Sequence, residues 1–439
     1  MRSRPYRVLL LLAGVIGLLV SAASWCFLEG VHELEVWVYE DFPEHLGYHT
    51  APVWWSLPWV ALAGLLTALA IVRLPGHGGH VPSDGLKAGG APTRPIDLPG
   101  VLLAAVATLG LGLVLGPEGP LIALGLGLGS LATRLVKKDA PQQAVGLMAA
   151  AGAFAAISSI FGSPVIGAVL LIEATGLGGA TLPLVLLPGL LAAGIGSLVF
   201  VGLGSFSGFS TAAWELSPFP LPSFGGPGWG DFSWTIVLAV ATALVVFGIM
   251  ELARTLKRLV DPKPFVLTIC AGLAVGGLAI AFAEATSGSP DAVLFSGESA
   301  FGSLFAQATT ISLSTLALLL LFKGLAWSIS LGNFRGGPTF PALFLGVVAG
   351  LMAAHLPGYA ETQAVAALTG AACVSVIRLP LASVMIATLL SAKAGLAVAP
   401  LIVVAVTVAY LTSEALTAYV DTRVGASPPA PTPAPDSPA

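Results

Sequence analysis

Charged residues are what this sequence has least of. Only 9% of its 439 residues are charged, against about 25% in an average soluble domain, and 56% are hydrophobic. The mean hydropathy is +0.94. This composition excludes a soluble globular protein and predicts an integral membrane protein in contact with the lipid bilayer. The net charge of −4 and the lack of a basic block exclude nucleic acid as a partner.

Cysteine and histidine are also scarce. The three cysteines, Cys26, Cys270 and Cys373, lie in or beside apolar runs, which favours small core residues over a disulfide framework. His77 and His80 form the only histidine pair with metal-like spacing, and no nearby cysteine or glutamate completes a site. We therefore expect no metal and no organic cofactor.

Long apolar runs dominate what is present, and they predict an all-α fold. The alternation of apolar and polar residues that a membrane β-barrel requires is absent. Several runs have only about 11 to 17 residues, too few to cross a bilayer alone. Short helices broken by glycine and proline are typical of transport folds. The predicted segments are 8–28, 53–73, 98–114, 119–136, 144–160, 164–174, 182–201, 234–259, 264–282, 310–328, 341–356, 362–377, 380–390 and 396–419.

The first run leaves an alternative open, because 8–28 could be a cleaved signal peptide. Its length of about 20 residues is enough to span a bilayer, which favours a retained first helix. Three arginines precede it, acidic residues follow between 29 and 44, and a basic cluster lies at 254–263. Since basic loops tend to stay in the cytoplasm, this pattern predicts a multi-pass plasma-membrane protein with both termini cytoplasmic.

One carboxylate, that of Glu118, stands between two apolar runs in the motif Gly-Pro-Glu-Gly-Pro at 116–120. A charge at membrane depth costs at least a few kcal/mol. Broken backbone at that depth is tolerated only where it faces protein or a water-filled cavity. A titratable group on a broken helix therefore indicates an ion pathway.

Three other charges fall in or beside apolar runs. Lys323 is expected to pair with a carboxylate or with backbone carbonyls. Arg335 and Arg378 flank helix starts. They could raise the local anion concentration, but we expect both to extend towards lipid headgroups.

An internal repeat relates the two halves of the chain. The stretch that begins at Gly152 resembles the one that begins at Gly370. The break that ends at Pro120 has a counterpart that ends at Pro341. Two similarities at nearly the same offset indicate a duplication. Halves with an odd number of crossings are inverted, so their broken helices would meet near the midplane.

This organisation predicts one membrane domain followed by a tail. The transmembrane domain covers 1–426, with inverted halves at about 7–204 and 232–424. The stretch 427–439 is rich in proline and is expected to be disordered.

Three helix starts predict an anion site. A helix start leaves backbone N–H groups unpaired and carries partial positive charge, so several starts aimed at one point hold an anion weakly enough for it to leave. Proline is favoured in a first helical turn, which places starts at Gly119, at Phe340 and, for a shorter segment, at Pro82. An ionised Glu118 would fill such a site and close the path, and a protonated one would leave it or carry a proton.

With these motifs, nearly the whole chain resembles the CLC family of chloride channels and anion–proton antiporters. The family's Gly-Lys/Arg-Glu-Gly-Pro motif is similar to 116–120 and its Gly-x-Phe-x-Pro motif to 337–341. Its Gly-Ser-Gly-x-Pro motif is matched loosely by 78–82. The resemblance implies a CLC-type inverted repeat of tilted and broken helices. It also implies a homodimer with one anion path per subunit, in which helices near 182–201 and 362–390 pack together.

The resemblance further implies roles for individual residues. Glu118 is similar to the gating glutamate of the family and would carry the proton. The residues that would bind the anion are Gly79, His80, Val81, Gly119, Thr339, Phe340 and Tyr419.

Departures from the family pattern bear on the anion. Gly79 stands where the family has a pore serine, so a hydroxyl donor is missing, and the adjacent His80 could supply a donor or face water. Pro117 and Pro338 each lack a backbone N–H that the family offers. Thr339 adds a hydroxyl that could compensate. We therefore expect weaker or altered halide selectivity.

Another departure bears on the proton. Ala174 occupies the place of an inner glutamate that many exchangers of the family carry. This favours a channel or a loosely coupled transporter. The preceding Glu173 could take over an inner proton path, or it could be a structural acid near a helix end.

The predicted function is passive or proton-coupled transport of chloride and similar small anions, gated by protonation of Glu118. An alternative is a secondary transporter for another small anion or an organic solute. An intramembrane hydrolase would need a nucleophile–base pair, and no serine nucleophile motif accompanies His355. The chain is therefore not expected to be an enzyme.

Overall fold

The fold is helical throughout the part of the chain that can be described. The computed structural model describes residues 4–85, 93–176, 182–207 and 216–424. These ranges contain no strand, and their one β contact is an isolated antiparallel bridge between Gly116 and Gly337. The predicted tail at 427–439 lies outside them.

Helices of very different length make up this fold. The α-helices are α1 (Arg4–Val36), α2 (Phe42–His45), α3 (Ser56–Arg73), α4 (Leu98–Gly110), α5 (Glu118–Val136), α6 (Gln142–Ile160), α7 (Pro164–Thr175), α8 (Leu182–Ser207), α9 (Trp229–Val260), α10 (Pro264–Thr286), α11 (Phe301–Ala306), α12 (Leu313–Asn333), α13 (Thr339–Ala353), α14 (Glu361–Ile377), α15 (Pro380–Leu390) and α16 (Ala399–Val424). Short 3₁₀ turns lie at Pro75–Gly78, Pro82–Asp84, Pro95–Asp97, Pro290–Ala292, Ala392–Ala394 and Leu396–Val398.

Both long and short apolar helices occur, as the sequence predicts. Within the described ranges, nine helical segments are long and apolar enough to cross a bilayer. The apolar helices α4, α7, α13, α14 and α15 are too short to do so alone. The chain is a multi-pass membrane protein built from full and broken crossings.

The first helix extends further than predicted. It continues from α1 through a π-helical turn at Trp37–Asp41 into α2, so the acidic residues between 29 and 44 lie on this helical segment. Aromatic packing holds this extension. Trp37 stacks on Phe42 with 5.1 Å between ring centroids, and Trp55 Nε1 donates to the Val38 carbonyl at 2.8 Å.

The packing of the second half repeats that of the first. In the first half α6 packs against α5, α8 and α1. In the second half α14 packs in the same way against α13, α16 and α9. This repetition is what the duplicated sequence predicts.

Glycines at equivalent places let the paired helices touch. A Cβ at Gly125 of α5 would lie 2.5 Å from the Gly152 carbonyl oxygen of α6. Gly346 of α13 occupies the equivalent place in the second half, and a Cβ there would lie 2.7 Å from Thr369 Cα of α14. Small residues are a common means of bringing membrane helices together. The same close crossing is thus built twice.

The helix α14 is enclosed within a single subunit, because every residue from Thr362 to Ile377 is buried. The expectation that 362–390 packs against a second subunit is therefore wrong for its α14 part. Outward-facing side chains remain on α15, where Leu381 is exposed, and on α8, where Leu198 is exposed.

Lys323 of α12 is fully buried and holds a neighbouring turn in place. Its Nζ lies 2.8 to 3.3 Å from the carbonyl oxygens of the four consecutive residues 292–295. The ammonium group also lies 4.5 Å from the ring centroid of Phe344. The prediction that Lys323 pairs with a carboxylate or with carbonyls is confirmed for carbonyls.

We expect Lys323→Met to lower the free energy of unfolding by about 3 to 5 kcal/mol, because the buried carbonyls would lose their charged donor. The measurement is the midpoint of thermal unfolding in detergent. Lys263→Met, at an exposed position, is the control and should leave the midpoint unchanged. Equal midpoints for the two variants would contradict this role of Lys323.

Candidate anion site

The two Gly-Pro breaks meet as one antiparallel bridge. Gly116 N–H donates to the Gly337 carbonyl at 2.7 Å, and Gly337 N–H donates to the Gly116 carbonyl at 2.6 Å. Helix α5 begins at Glu118 and α13 at Thr339, just after each bridging glycine. The bridge satisfies backbone groups that broken helices would leave unpaired at membrane depth. It also sets two helix starts side by side.

The Glu118 carboxylate lies against the start of α13 and is only 1% exposed. Its Oε1 accepts a hydrogen bond from Thr339 N–H. The backbone amides of Glu118 itself and of Phe340 also act on this carboxylate. The side chain therefore occupies the donors that two helix starts would offer to an anion.

Close approach explains the glycines around this carboxylate. A Cβ at Gly337 would overlap Glu118 Cδ, and a Cβ at Gly116 would overlap Glu118 Oε2. A Cβ at Gly119 would lie 2.7 Å from the Gly336 carbonyl oxygen. A larger residue at any of these three positions would force its neighbours apart. We call the space bounded by Gly116, Gly337 and Thr339 the carboxylate seat.

The third predicted helix start leads to a single short 3₁₀ turn and not to an α-helix. Pro82 opens a turn of three residues, Pro82–Asp84. The Gly79 N–H already donates to the Gly76 carbonyl at 2.8 Å, and both glycines have positive φ, which an α-helix excludes. The expectation of an anion-binding amide at Gly79 is corrected for this reason.

The two residues that precede this turn, His80 and Val81, differ in their surroundings. His80 is exposed, and its Nε2 is bonded to the Gly85 carbonyl. Val81 is half-buried at the start of the turn. An anion-binding role for these two residues stays a prediction.

Arg335 is buried, although we expected it at the lipid headgroups. It is 8% exposed and donates to the carbonyls of Phe334 at 3.1 Å and of His77 at 3.4 Å. The signal that could have revealed it is its position directly before Gly336, a lone charge in one break as Glu118 is in the other. Arg378 does lie at the surface and pairs with Glu414.

Glu173 joins the two halves at a second place. Its Oε1 accepts from Leu381 N–H at 2.9 Å and its Oε2 from Ala382 N–H at 2.8 Å. Both oxygens thus cap the start of α15, the counterpart of Glu173's own helix α7. This geometry supports the structural alternative for Glu173 over an inner proton path.

The two tyrosines of α16 differ in their surroundings. Tyr419 is 54% exposed, and its ring centroid lies 4.6 Å from the Arg423 guanidinium carbon. Tyr410 is partly buried and packs against the hydrophobic core. The described contacts do not bring Tyr419 to the carboxylate seat, and its pore role stays a prediction.

An acidic cavity of about 800 Å³ lies between the end of α1 and the 286–300 segment. Carboxylates of Glu35, Glu40 and Asp291 line it, and the Phe344 ring reaches it as well. Sequence reasoning used the acids between 29 and 44 only for orientation and did not join them with Asp291, because no local pattern brings such distant parts of the chain together.

Glu298 lies in the same 286–300 segment, and the charge of Glu118 in the carboxylate seat acts on it. Burial raises its pKa to about 7, a hydrogen bond from the Ser296 hydroxyl opposes that shift, and the charge of Glu118 adds to it. Lys323 lowers this pKa by a smaller amount. Glu298 does not line the cavity itself, but its charge acts on Glu35, which does, so Glu298 interacts electrostatically with both the cavity and the seat.

Two adjoining helix starts, a buried glutamate on their amides and the repeated broken helices define a membrane transport protein built on an inverted repeat. The chain belongs to the CLC family, because the family model described as voltage gated chloride channel matches residues 60–414. This confirms the resemblance drawn from the motifs. Since members of the family are channels and transporters, it also confirms that the chain is not an enzyme.

Relatives and solved structures agree with this assignment. The putative ion-transport protein YfeO of Escherichia fergusonii is 30% identical over 362 residues, which cover 81% of each chain. The protein of the same name from Escherichia coli is 29% identical over the same length.

Two solved structures share the fold. A slow cyanobacterial Cl⁻/H⁺ antiporter has a TM-score of 0.75 and 20% identity, covering 95% of this chain and 98% of its own. A CLC-type fluoride/proton antiporter has a TM-score of 0.70 and 20% identity, covering 93% and 96%.

We expect Gly337→Ala to expel the Glu118 carboxylate from its seat, because the added methyl group would overlap it. Passive chloride efflux from proteoliposomes should rise to the level of Glu118→Gln. Gly277→Ala is the matched control, because a Cβ there meets no atom within 4 Å. A folded Gly337→Ala protein with wild-type efflux would contradict the seat.

Proposed function

We propose that this protein moves small monovalent anions, chloride among them, across the membrane, and that the Glu118 carboxylate opens and closes the path. The observation that carries the proposal is the carboxylate of Glu118 bound to the Thr339 N–H at two adjoining helix starts. A negative group held there by backbone donors occupies a place that suits a permeating anion equally well. The antiporter titles of the similar structures support a halide as the substrate.

Protonation of Glu118 is the proposed opening step. An ionised carboxylate and a halide compete for the same amides, because each carries one negative charge. A protonated carboxyl loses most of its attraction for these donors and leaves the seat to the anion. The proton that neutralises Glu118 is then available for transport in exchange for the anion.

The acidic cavity supports a route for that proton. Its carboxylates repel anions and concentrate protons. Glu298 adjoins the cavity-lining residues Gly297 and Ser299, and its charge interacts with that of Glu35 in the cavity and with that of Glu118. We infer that protons reach Glu118 from this cavity.

The assembly is proposed to be a homodimer in the plasma membrane, with both termini in the cytoplasm. Exposed leucines on α8, including Leu187, Leu191 and Leu198, support a subunit interface on that helix. Exposed Val165 of α7 and Leu381 of α15 would extend the same interface. Basic residues at 254–263 support the orientation.

We expect Glu118→Gln to raise passive chloride flux and to abolish proton coupling, because glutamine has no charge to compete with the anion. If the closed form holds about 90% of wild-type molecules, flux should rise about tenfold. Simultaneous chloride and pH recording from proteoliposomes measures both quantities. Unchanged pH dependence of flux in the variant would refute this gate.

We expect Glu298→Gln to flatten the pH dependence of transport near neutrality. Because burial disfavours the charged form and raises the pKa, Glu298 stays protonated below about pH 7 and ionises above it. Ionised Glu298 repels an incoming anion, so chloride uptake should fall about twofold from pH 6 to pH 8 in the wild type. The variant should lose that part of the fall.

The control for that experiment is Glu284→Gln, an exposed carboxylate near the end of α10. It should keep the wild-type pH profile. Identical profiles for the wild type and Glu298→Gln would remove Glu298 from the proton route while leaving the Glu118 gate intact.

A further inference from the structure

Arg335 is a buried cation without a carboxylate partner among the described residues. Its guanidinium uses two N–H groups on carbonyls, those of Phe334 and His77. Its Nε is buried and has no hydrogen-bond partner. The acids whose charges act on it, Asp261 and Asp84, form no ion pair with it.

Burying the Arg335 charge in this way destabilises the fold when only protein groups surround it. Taking a full charge out of water is offset only when an opposite charge and good hydrogen bonds replace the hydration. Two carbonyls supply part of those bonds and no counter-charge. An anion supplied from outside would complete the site.

The position of Arg335 fits an anion in transit. The residue directly precedes Gly336 in the break that forms the bridge, and its own N–H donates to Thr108 Oγ1 at 3.4 Å. On its other side lies the loop at 75–85, which contains Gly78. A Cβ at Gly78 would lie 3.3 Å from Arg335 Cγ, so the glycine there makes space for this side chain.

Because Gly79 has no hydroxyl group, another donor near this loop is needed to bind an anion, and Arg335 is placed to be that donor. The loop at 75–85 offers neither a serine hydroxyl at Gly79 nor a free amide from that residue. The guanidinium is the strongest donor that reaches this loop, through His77. The buried Ser83 hydroxyl of the same loop also has no hydrogen-bond partner, so it is a second unused donor there.

We propose that the Arg335 guanidinium binds the transported anion at a second position, beside the 75–85 loop, and that it favours small planar oxyanions such as nitrate over halides. This rests on the proposed function and adds the substrate class. A guanidinium presents parallel N–H groups that match two oxygens of a planar anion, whereas a spherical halide uses that geometry less well.

The first test uses the wild-type protein and bromide, which scatters anomalously. Crystals grown in bromide should show an anomalous peak within about 4 Å of the Arg335 guanidinium, the reach of a hydrogen bond to a large halide. Nitrate added in excess should remove the peak. A bromide map with no peak beside Arg335 would overturn the proposal, whatever the transport assays give.

The second test measures binding and selectivity in the Glu118→Gln background, where the gate is open. Arg335→Met should weaken nitrate binding in calorimetry about tenfold, the worth of a charge-assisted hydrogen bond. Arg335→Lys keeps the charge without the planar fork. It should retain chloride flux and lose the preference for nitrate.

Arg258→Met is the control, because Arg258 is an exposed arginine. If chloride and nitrate flux persist with unchanged affinity and preference in the folded Arg335→Lys protein, this inference fails while the proposed function stands. If Glu118→Gln alone shows no anion flux, the proposed function fails, and the bromide map still decides the site.

Discussion

The contact between the Glu118 carboxylate and the Thr339 N–H is the constraint on which the rest of the structure depends. It requires a helix start with unpaired amides, and hence the break before α13. It requires the other break to approach within hydrogen-bonding distance, which the Gly116–Gly337 bridge provides. The contact also requires glycine at positions 116 and 337, because a side chain at either position would overlap the carboxylate. Local backbone structure does not require glycine there.

The duplication explains why such a contact can form. The offset from Glu118 to Thr339 equals the offset from Gly116 to Gly337. The acid of one half therefore touches the amide at the equivalent place in the other half. In an inverted repeat, residues near the pseudo-two-fold axis contact their counterparts in the other half. Duplication of one broken helix therefore supplied both the acid, in the first copy, and the amide donor that it contacts, in the second. Glu173 also joins the two halves, because it lies on α7 and caps the start of the counterpart helix α15.

Sequence alone could predict the features that hydrophobic periodicity and glycine and proline positions encode. These are the helices, the breaks, the repeat and the lone acid at 118. It could not predict properties that depend on distant neighbours. Hydropathy does not distinguish a helix facing lipid from one facing protein, so the enclosure of α14 was missed. Positive φ at Gly85 ends, after one turn, the helix that Pro82 begins. Arg335 has a side chain long enough for headgroups, and only the position of Gly78 shows that it turns inwards.

The buried charges separate what attracts an anion from what attracts a proton. Lys323 is already compensated, because carbonyls and the acids Glu298, Asp291 and Glu35 all act on it. Its charge therefore adds little attraction for an anion at the acidic cavity, whose net sign favours protons. Arg335 has fewer compensating contacts, because it donates to two carbonyls, forms no ion pair with a described residue and leaves its buried Nε without a partner. On the proposed function, a proton approaches Glu118 through carboxylates and an anion approaches through Arg335. Glu118 can serve both because it is an acid that lies fully buried on anion-binding amides.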